Sequence, residues 1–242
     1  SNKLVTIPDF VLIYEVFTYL SFKDYSHSIV EHRLQDLSEN VFERKLVPLY
    51  VPEDCKTLKE AVRRVHEDDR LTTIVLGQGE YVVEDGNGSN TLVIPSAMNI
   101  LGRPGVPKEH IVVVGCIVFN EGIQGNFHLQ HLTLRGTNWS GVVGRSSFTM
   151  NDVRVEQCGG YGVVAQGIGC VGRCTNVEVR QCGMSGVMAF TGASITLIGA
   201  KTTVHHNCTK GGREYGLRVT GSSSSTIQLV FPLTKEQVSI DN

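Results

Sequence analysis

Between residues 91 and 240 the chain carries one aspartate, Asp152, and six glutamates, Glu109, Glu121, Glu156, Glu178, Glu214 and Glu236. Glycoside hydrolysis needs an acid and a base on opposite sides of the scissile bond. Calcium-assisted elimination needs about six to eight oxygen ligands, several of them carboxylates. Carboxylates so scattered supply neither set. Arg135, Arg145, Arg154, Arg173 and Arg180, with no metal cradle beside them, read as solvent-facing. Cys170-x-x-x-Cys174 together with His205-His206-Asn207-Cys208 contains enough nitrogen and sulfur for zinc. Their spacing matches no compact zinc motif, and strand alternation sends His205 and His206 to opposite faces. Gly167-Ile168-Gly169 follows no strand-helix unit and carries no dinucleotide signal. The residues therefore point to no catalytic group, no metal ion and no cofactor. Trp139, the only tryptophan, lies in Thr137-Asn138-Trp139-Ser140-Gly141, a loop in which it can either anchor a protein or sugar partner or fold back on the edge of the repeat.

These residues sit on a repeat. Asn151-Asp152-Val153-Arg154-Val155-Glu156-Gln157-Cys158 recurs 24 residues later as Thr175-Asn176-Val177-Glu178-Val179-Arg180-Gln181-Cys182, and the match extends to Gly162/Gly186 and Val163/Val187. A unit this short cannot bury its own apolar face, so copies must stack. Leu132-Thr133-Leu134 lies 21 residues before Val153-Arg154-Val155, and Thr202-Thr203-Val204 lies 25 residues after Val177-Glu178-Val179. Each triplet alternates between Gly, Asn or Ser boundaries and reads as a strand. With Val153, Val155, Val177 and Val179 inward, Arg154 stacks beside Glu178 and Glu156 beside Arg180. Such cross-strand pairs contribute about 0.2–1 kcal/mol each, and their opposite signs support the register.

Forty-one per cent apolar content over 242 residues is ample for a core. There is no apolar run long enough to span a membrane and no signal-peptide pattern, so an intracellular protein without membrane contact is expected. Charge is uneven: residues 1–90 hold 10 Lys+Arg against 16 Asp+Glu, and residues 91–240 hold 12 against 7. The second region is mildly basic, but no cationic run or aromatic motif of a nucleic-acid reader accompanies it, so nucleic acid is not the expected partner. The cysteines, at 55, 116, 158, 170, 174, 182 and 208, are odd in number. Cys158, Cys182 and Cys208 follow Gln157, Gln181 and Asn207, which predicts a reduced, inward ladder of thiols on successive coils.

Residues 1–50 lie outside the repeat and read as two or three short helices. Val11, Leu12, Val16, Phe17 and Leu20 keep helical spacing, as do Leu34, Leu37, Val41 and Phe42, and Pro8 suits a first helical turn. Thr57 and Glu60 form a capping box ahead of the stripe Leu58, Ala61, Val62 and Val65. This helix is expected to plug the open first coil. Gly-Ser-Ser-Ser-Ser at 221–225 reads as a loop, and Phe231-Pro232 as the end of the stack.

The order of capping helix, Thr73-Ile74-Val75-Leu76, Gly77-Gln78-Gly79-Glu80-Tyr81, Leu92-Val93-Ile94 and Asn99-Ile100-Leu101-Gly102 resembles the opening of pectin-lyase-like right-handed parallel β-helices. The later Val-x-x-Cys-Gly…Gly-Val units are similar to their coils, and the resemblance covers about residues 51–230. Ile7-Pro8-Asp9-Phe10-Val11-Leu12, Val16-Phe17, Tyr19-Leu20, Asp24, Arg33 and Phe42 with Leu46 resemble the F-box over about the first 45 residues. Ile7 stands for the usual Leu, Phe42 for the late Trp, Leu34 for the middle aromatic and Glu31 for a common Cys. Together these imply a mainly β fold, with an F-box-like helical domain at 1–50 and a right-handed parallel β-helix with its capping helix at 51–242. The F-box resemblance implies that Ile7, Pro8, Val11, Leu12, Val16, Phe17, Leu20 and Asp24 dock on a Skp1-like adaptor of an SCF ubiquitin ligase. The β-helix would then offer a non-catalytic surface, including Trp139, to a target protein. The alternatives are a non-catalytic structural or carbohydrate-binding β-helix and, against the carboxylate count, a polysaccharide lyase or hydrolase. An uncovered end near Phe231 would also permit self-association.

Overall fold

Leu58, Ala61, Val62 and Val65 fall on one face of helix α1 (Leu58–Glu67), and all four are buried against the first strands. The computed structural model describes residues 47–83, 90–136, 138–212, 214–221 and 223–242. The proposed adaptor-binding residues Ile7, Pro8, Val11, Leu12, Val16, Phe17, Leu20 and Asp24 lie outside the described residues. Thr57 caps α1, its hydroxyl accepting from the Glu60 amide at 3.1 Å. The return half of the expected box is displaced by one residue: the Glu60 carboxylate accepts from the Lys56 amide at 3.3 Å.

The remainder is a parallel β-solenoid of about six turns. Its strands form three parallel sheets of eight, seven and six strands, here called A, B and C. One turn runs Phe148–Asn151 in A, Arg154–Glu156 in B and Val163–Gln166 in C; the next runs Val171–Thr175, Glu178–Arg180 and Val187–Phe190. The register follows the sequence repeat. Val155 pairs with Leu134 on one side and Val179 on the other, and Val179 pairs with Val204, which reproduces the offsets of 21, 24 and 25. Val153, Val155, Val177 and Val179 are fully buried, and the Glu178 amide donates to the Val153 carbonyl at 3.0 Å. Phe119, Phe127 and Phe148 fill the interior of neighbouring turns, with Phe119 and Phe127 stacked at 4.6 Å between centroids.

Two corner columns turn the chain between sheets. His131, Asp152 and Asn176 adopt φ of 54°, 53° and 52° between A and B, and Gln157, Gln181 and His206 adopt 54°, 54° and 53° after B. Polar residues tolerate this left-handed region better than β-branched ones do. The second column corrects the thiol ladder. Because His206 takes the corner, Asn207 and not Cys208 stacks on Cys182. The Cys182 amide donates to Asn207 Oδ1 at 3.1 Å, and Asn207 Nδ2 donates to the Val179 carbonyl at 3.1 Å and to Asn242 Oδ1 at 2.8 Å. Cys158 and Cys182 are buried as expected, whereas Cys208 is half-exposed.

Gly162, immediately before the sheet C strand of its turn, lies against the same ladder. A Cβ there would meet Val179 Cγ1 at 2.3 Å and the Gly186 carbonyl oxygen at 2.6 Å, so only glycine lets this corner close. Two further differences from expectation concern the ends. Leu49–Val51 adds an outermost strand to sheet A beside Thr73–Leu76. The stack also continues past Phe231-Pro232, through helix α2 (Lys235–Val238) to Ser239–Ile240, which pairs in sheet B. No helix among the described residues is long and apolar enough to cross a membrane.

Candidate functional site

Alternation along every strand divides the solenoid surface into three faces of different chemistry. On sheet B the outward positions form two columns in register: Thr133, Arg154, Glu178 and Thr203, and Arg135, Glu156, Arg180 and His205. Arg154 Nε donates to Glu178 at 2.7 Å and its Nη2 lies 3.0 Å from Glu109. Arg180 donates to Glu156 at 2.6 Å and lies 3.4 Å from Glu178, which also meets His205 Nε2 at 3.4 Å. Arg135 reaches back to Glu80 at 2.9 Å. Both stacked pairs expected from the sequence are present. Glu156 is nevertheless buried, and the Arg154 side chain is only 18% exposed, so these groups are packed into the face and not freely solvated.

Burial alone would raise the Glu178 carboxyl, but the hydrogen bond from Arg154 and the charges of Arg154 and Arg180 outweigh it and hold the carboxyl below its ordinary value. Asp152 sits at the corner next to this face. Its carboxylate accepts from Lys108 Nζ at 2.6 Å and meets His131 Nδ1 at 2.7 Å, while His131 Nε2 meets the Val106 carbonyl at 2.8 Å. Burial pushes Asp152 up, and Lys108 and His131 more than reverse it. A general acid requires the opposite displacement, a carboxyl raised toward neutral pH. This corner clamp was not legible in advance; its one trace in the sequence is the spacing of His131, Asp152 and Asn176, each just before an inward residue.

On sheet C the outward column Val93, Val118, Val143, Val164 and Met188 is apolar and ends at Arg218, which is paired with Glu214. Val93 is 48% exposed, but Val164 and Met188 are buried. Trp139, on the corner leading into this sheet, is 63% exposed. On sheet A the outward columns are Tyr50, Val75, Leu101, Gln130, Asn151, Thr175 and Ile198, and Thr73, Asn99, His128, Thr149, Arg173, Thr196 and Gln228. His128 bonds Thr149 at 2.6 Å and Gln130 at 3.0 Å, and burial lowers its pKa, which favours the neutral ring. Arg173 is the one charged side chain in these two columns.

The sulfur and imidazole groups weighed for zinc are not brought together. Cys170 and Cys174 face the interior from sheet A, with Cys174 against Met150, whereas His205 faces outward from sheet B. His205 and His206 do not diverge as alternation predicts: the corner at His206 turns the two rings together, with their Nδ1 atoms 2.7 Å apart. Among the described residues, no three His, Cys, Asp or Glu side chains converge as a metal site. Burial raises the Cys116 and Cys174 thiols to about 12, and the Cys158 thiol is raised by its hydrogen bond to Cys182 and by burial. Thiolate reactivity requires exposure as well as ionisation. A thiol reagent added to the native protein is therefore expected to modify Cys208 first and the other six only on unfolding. Mass spectrometry of time points checks this, and early label on Cys158 or Cys182 would contradict the buried ladder. No family model matches the sequence, and neither a curated protein nor a solved structure matches it.

Proposed function

We propose that the chain is an F-box-type substrate adaptor of an SCF ubiquitin ligase, with the residues before the strand Leu49–Val51 as the F-box-like domain and the solenoid from that strand onward as a non-catalytic surface for a target protein. The observation that carries the second half is the pairing on sheet B. Glu156, Glu178 and Asp152 each hold a cation, and Glu178 and Asp152 have depressed pKa values. Carboxylates held this way stabilise a rigid wall and are unsuited to proton transfer. In this reading the solenoid is right-handed, as parallel crossovers are in nearly every case, and it is related in architecture to pectin-lyase-like β-helices without their chemistry. Trp139 serves as an exposed anchor for the target.

The first half rests on the F-box resemblance, in which Ile7, Pro8, Val11, Leu12, Val16, Phe17, Leu20 and Asp24 engage a Skp1-like adaptor inside the cell. Size-exclusion chromatography of the chain mixed with such an adaptor at tens of micromolar tests it. A co-eluting complex is expected, lost on Leu12→Glu and Phe17→Glu together. Absence of a shift, with helical content retained by circular dichroism, would remove the ligase reading. Turnover of polyuronates, with or without calcium, would instead establish an enzyme.

A further inference from the structure

Sheet A and its two corners carry three cations that no carboxylate holds; Lys210 and Lys235, away from this face, are likewise outside any ion pair among the described residues. Arg103, Lys108, Arg135, Arg154, Arg180 and Arg218 each hold a carboxylate. Arg145, Arg173 and Lys201 are exposed, and none of them has an ion-pair or hydrogen-bond partner for its side chain among the described residues. Their placement is ordered. Arg145 precedes the strand Phe148–Asn151 at the corner between C and A, Arg173 lies in the middle of the next A strand, and Lys201 follows the A strand after that, Ser194–Ile198, at the corner between A and B. The three cations therefore cross the face on a diagonal over three successive turns. With strands about 4.8 Å apart and a rise of at most about 3.3 Å per residue through the corners, successive cations are no more than roughly 14–17 Å apart along the surface.

None of the residues in the two outward columns of sheet A is acidic, and Glu121, on the corner loop one turn earlier, forms no ion pair among the described residues. Between apolar Val75, Leu101, Val171 and Ile198 the face offers amides and hydroxyls: Gln130, Asn151 and Thr175 in one column, Thr149, Thr196 and Gln228 in the other. These suit the N–H and C=O groups of an extended chain. Aromatic platforms, on which nucleic-acid bases stack and sugar rings pack, are limited in the columns to His128, half-buried and bonded to Thr149 and Gln130, and Tyr50 in the outermost strand, above whose ring Arg103 already lies at 5.5 Å. We propose that sheet A binds an extended acidic segment of the target protein, its carboxylates seated on Arg145, Arg173 and Lys201. A chain rising about 3.3 Å per residue places acidic groups on all three when they are no more than about four to five residues apart. The inference rests on the reading of the solenoid as a protein-recognition surface and adds which face is used and what it selects.

The test uses the full chain and a fluorescein-labelled ten-residue peptide of Gly, Ser and Thr with Glu at the first, fifth and tenth positions, followed by anisotropy in low salt. Saturable binding is expected, weakened about tenfold by Arg173→Ala, the loss of one charge-assisted contact. Arg145→Ala and Lys201→Ala should each weaken it about threefold. Lys210→Ala removes an exposed cation between the B and C strands and should leave affinity unchanged. The inference is overturned by absence of saturation, by an equal loss in Lys210→Ala, or by tighter binding of a single-stranded oligonucleotide or an oligogalacturonate of similar charge. Arg173 is exposed, so an unchanged melting temperature will show that its variant is folded. A chain that binds the peptide through Arg173 but does not retain a Skp1-like adaptor loses the ligase reading alone; the reverse pattern loses only this inference.

Discussion

Gly162→Ala is expected to destabilise the solenoid by about 3 kcal/mol, at the upper end of the overpacking range. The added methyl would lie 2.3 Å from Val179 Cγ1, 2.6 Å from the Gly186 carbonyl oxygen and 3.2 Å from Cys182 Sγ. Val179 is fully buried and the carbonyl belongs to the hydrogen-bonded corner of the next turn, so neither can move away freely. Gly105→Ala provides the contrast. Gly105 has φ of 83° but nothing within 4 Å of a Cβ. Its substitution should cost only the left-handed backbone penalty, about 1–2 kcal/mol. Urea denaturation measures both. If the methyl clash is the cause, Val179→Ala in the Gly162→Ala background should recover part of the loss, with a coupling of about 1 kcal/mol in a double-mutant cycle. Equal effects at the two glycines would show that crowding at Gly162 is not the determinant.

The second large effect is expected at Glu178, where Arg154, Arg180 and His205 converge. Glu178→Ala leaves Arg154 partly buried without its closest acceptor, and the loss of a charge-assisted bond there should cost about 2–3 kcal/mol. The same geometry sets the response to acid. The folded-state pKa values of Glu178 and Asp152 are depressed. Their stabilising contribution is therefore complete above the unfolded-state values of about 4 and is lost as pH falls through the lower folded values. Melting temperature should hold from pH 7 to about 5, fall below about 4, and fall less steeply in Glu178→Gln than in the wild type. A wild type and a Glu178→Gln variant with parallel profiles in acid would contradict the assignment.

The repeat was legible because a parallel in-register stack writes its geometry into spacing. Inward Val153, Val155, Val177 and Val179 recur one turn apart, and the outward charges between them alternate in sign along the stack. Residue type misled at Cys208. The thiol looks like the next member of the ladder, but the corner column counts backbone conformation, and His206 rather than Asn207 occupies it. For the same reason His205 and His206 meet, since a left-handed corner cancels strand alternation. Burial of Glu156 was not legible either, because it depends on how closely Arg180 folds over it. Nor was the clamp on Asp152, since the loop that brings Lys108 to the corner lies outside the period. Leu49–Val51, three residues between two prolines, is too short to show a pattern. Nor does spacing show that Arg145, Arg173 and Lys201 lack acidic partners, since that depends on which carboxylates their neighbours hold.

The stacking has a consequence for how local damage spreads. Each turn of the solenoid touches only the turn before and the turn after it, so the molecule behaves as a one-dimensional array with nearest-neighbour coupling. A fault in a central layer weakens two junctions, while the same fault in the terminal layer weakens one. Gly216, beside the last sheet B strand, would set its Cβ against the side chains of Ser239 and Asn242, and Asn242 is held by its hydrogen bonds to Asn207 and to the Val204 carbonyl. Position along the axis, together with what the new atom meets, therefore governs how much of the array any one substitution can undo.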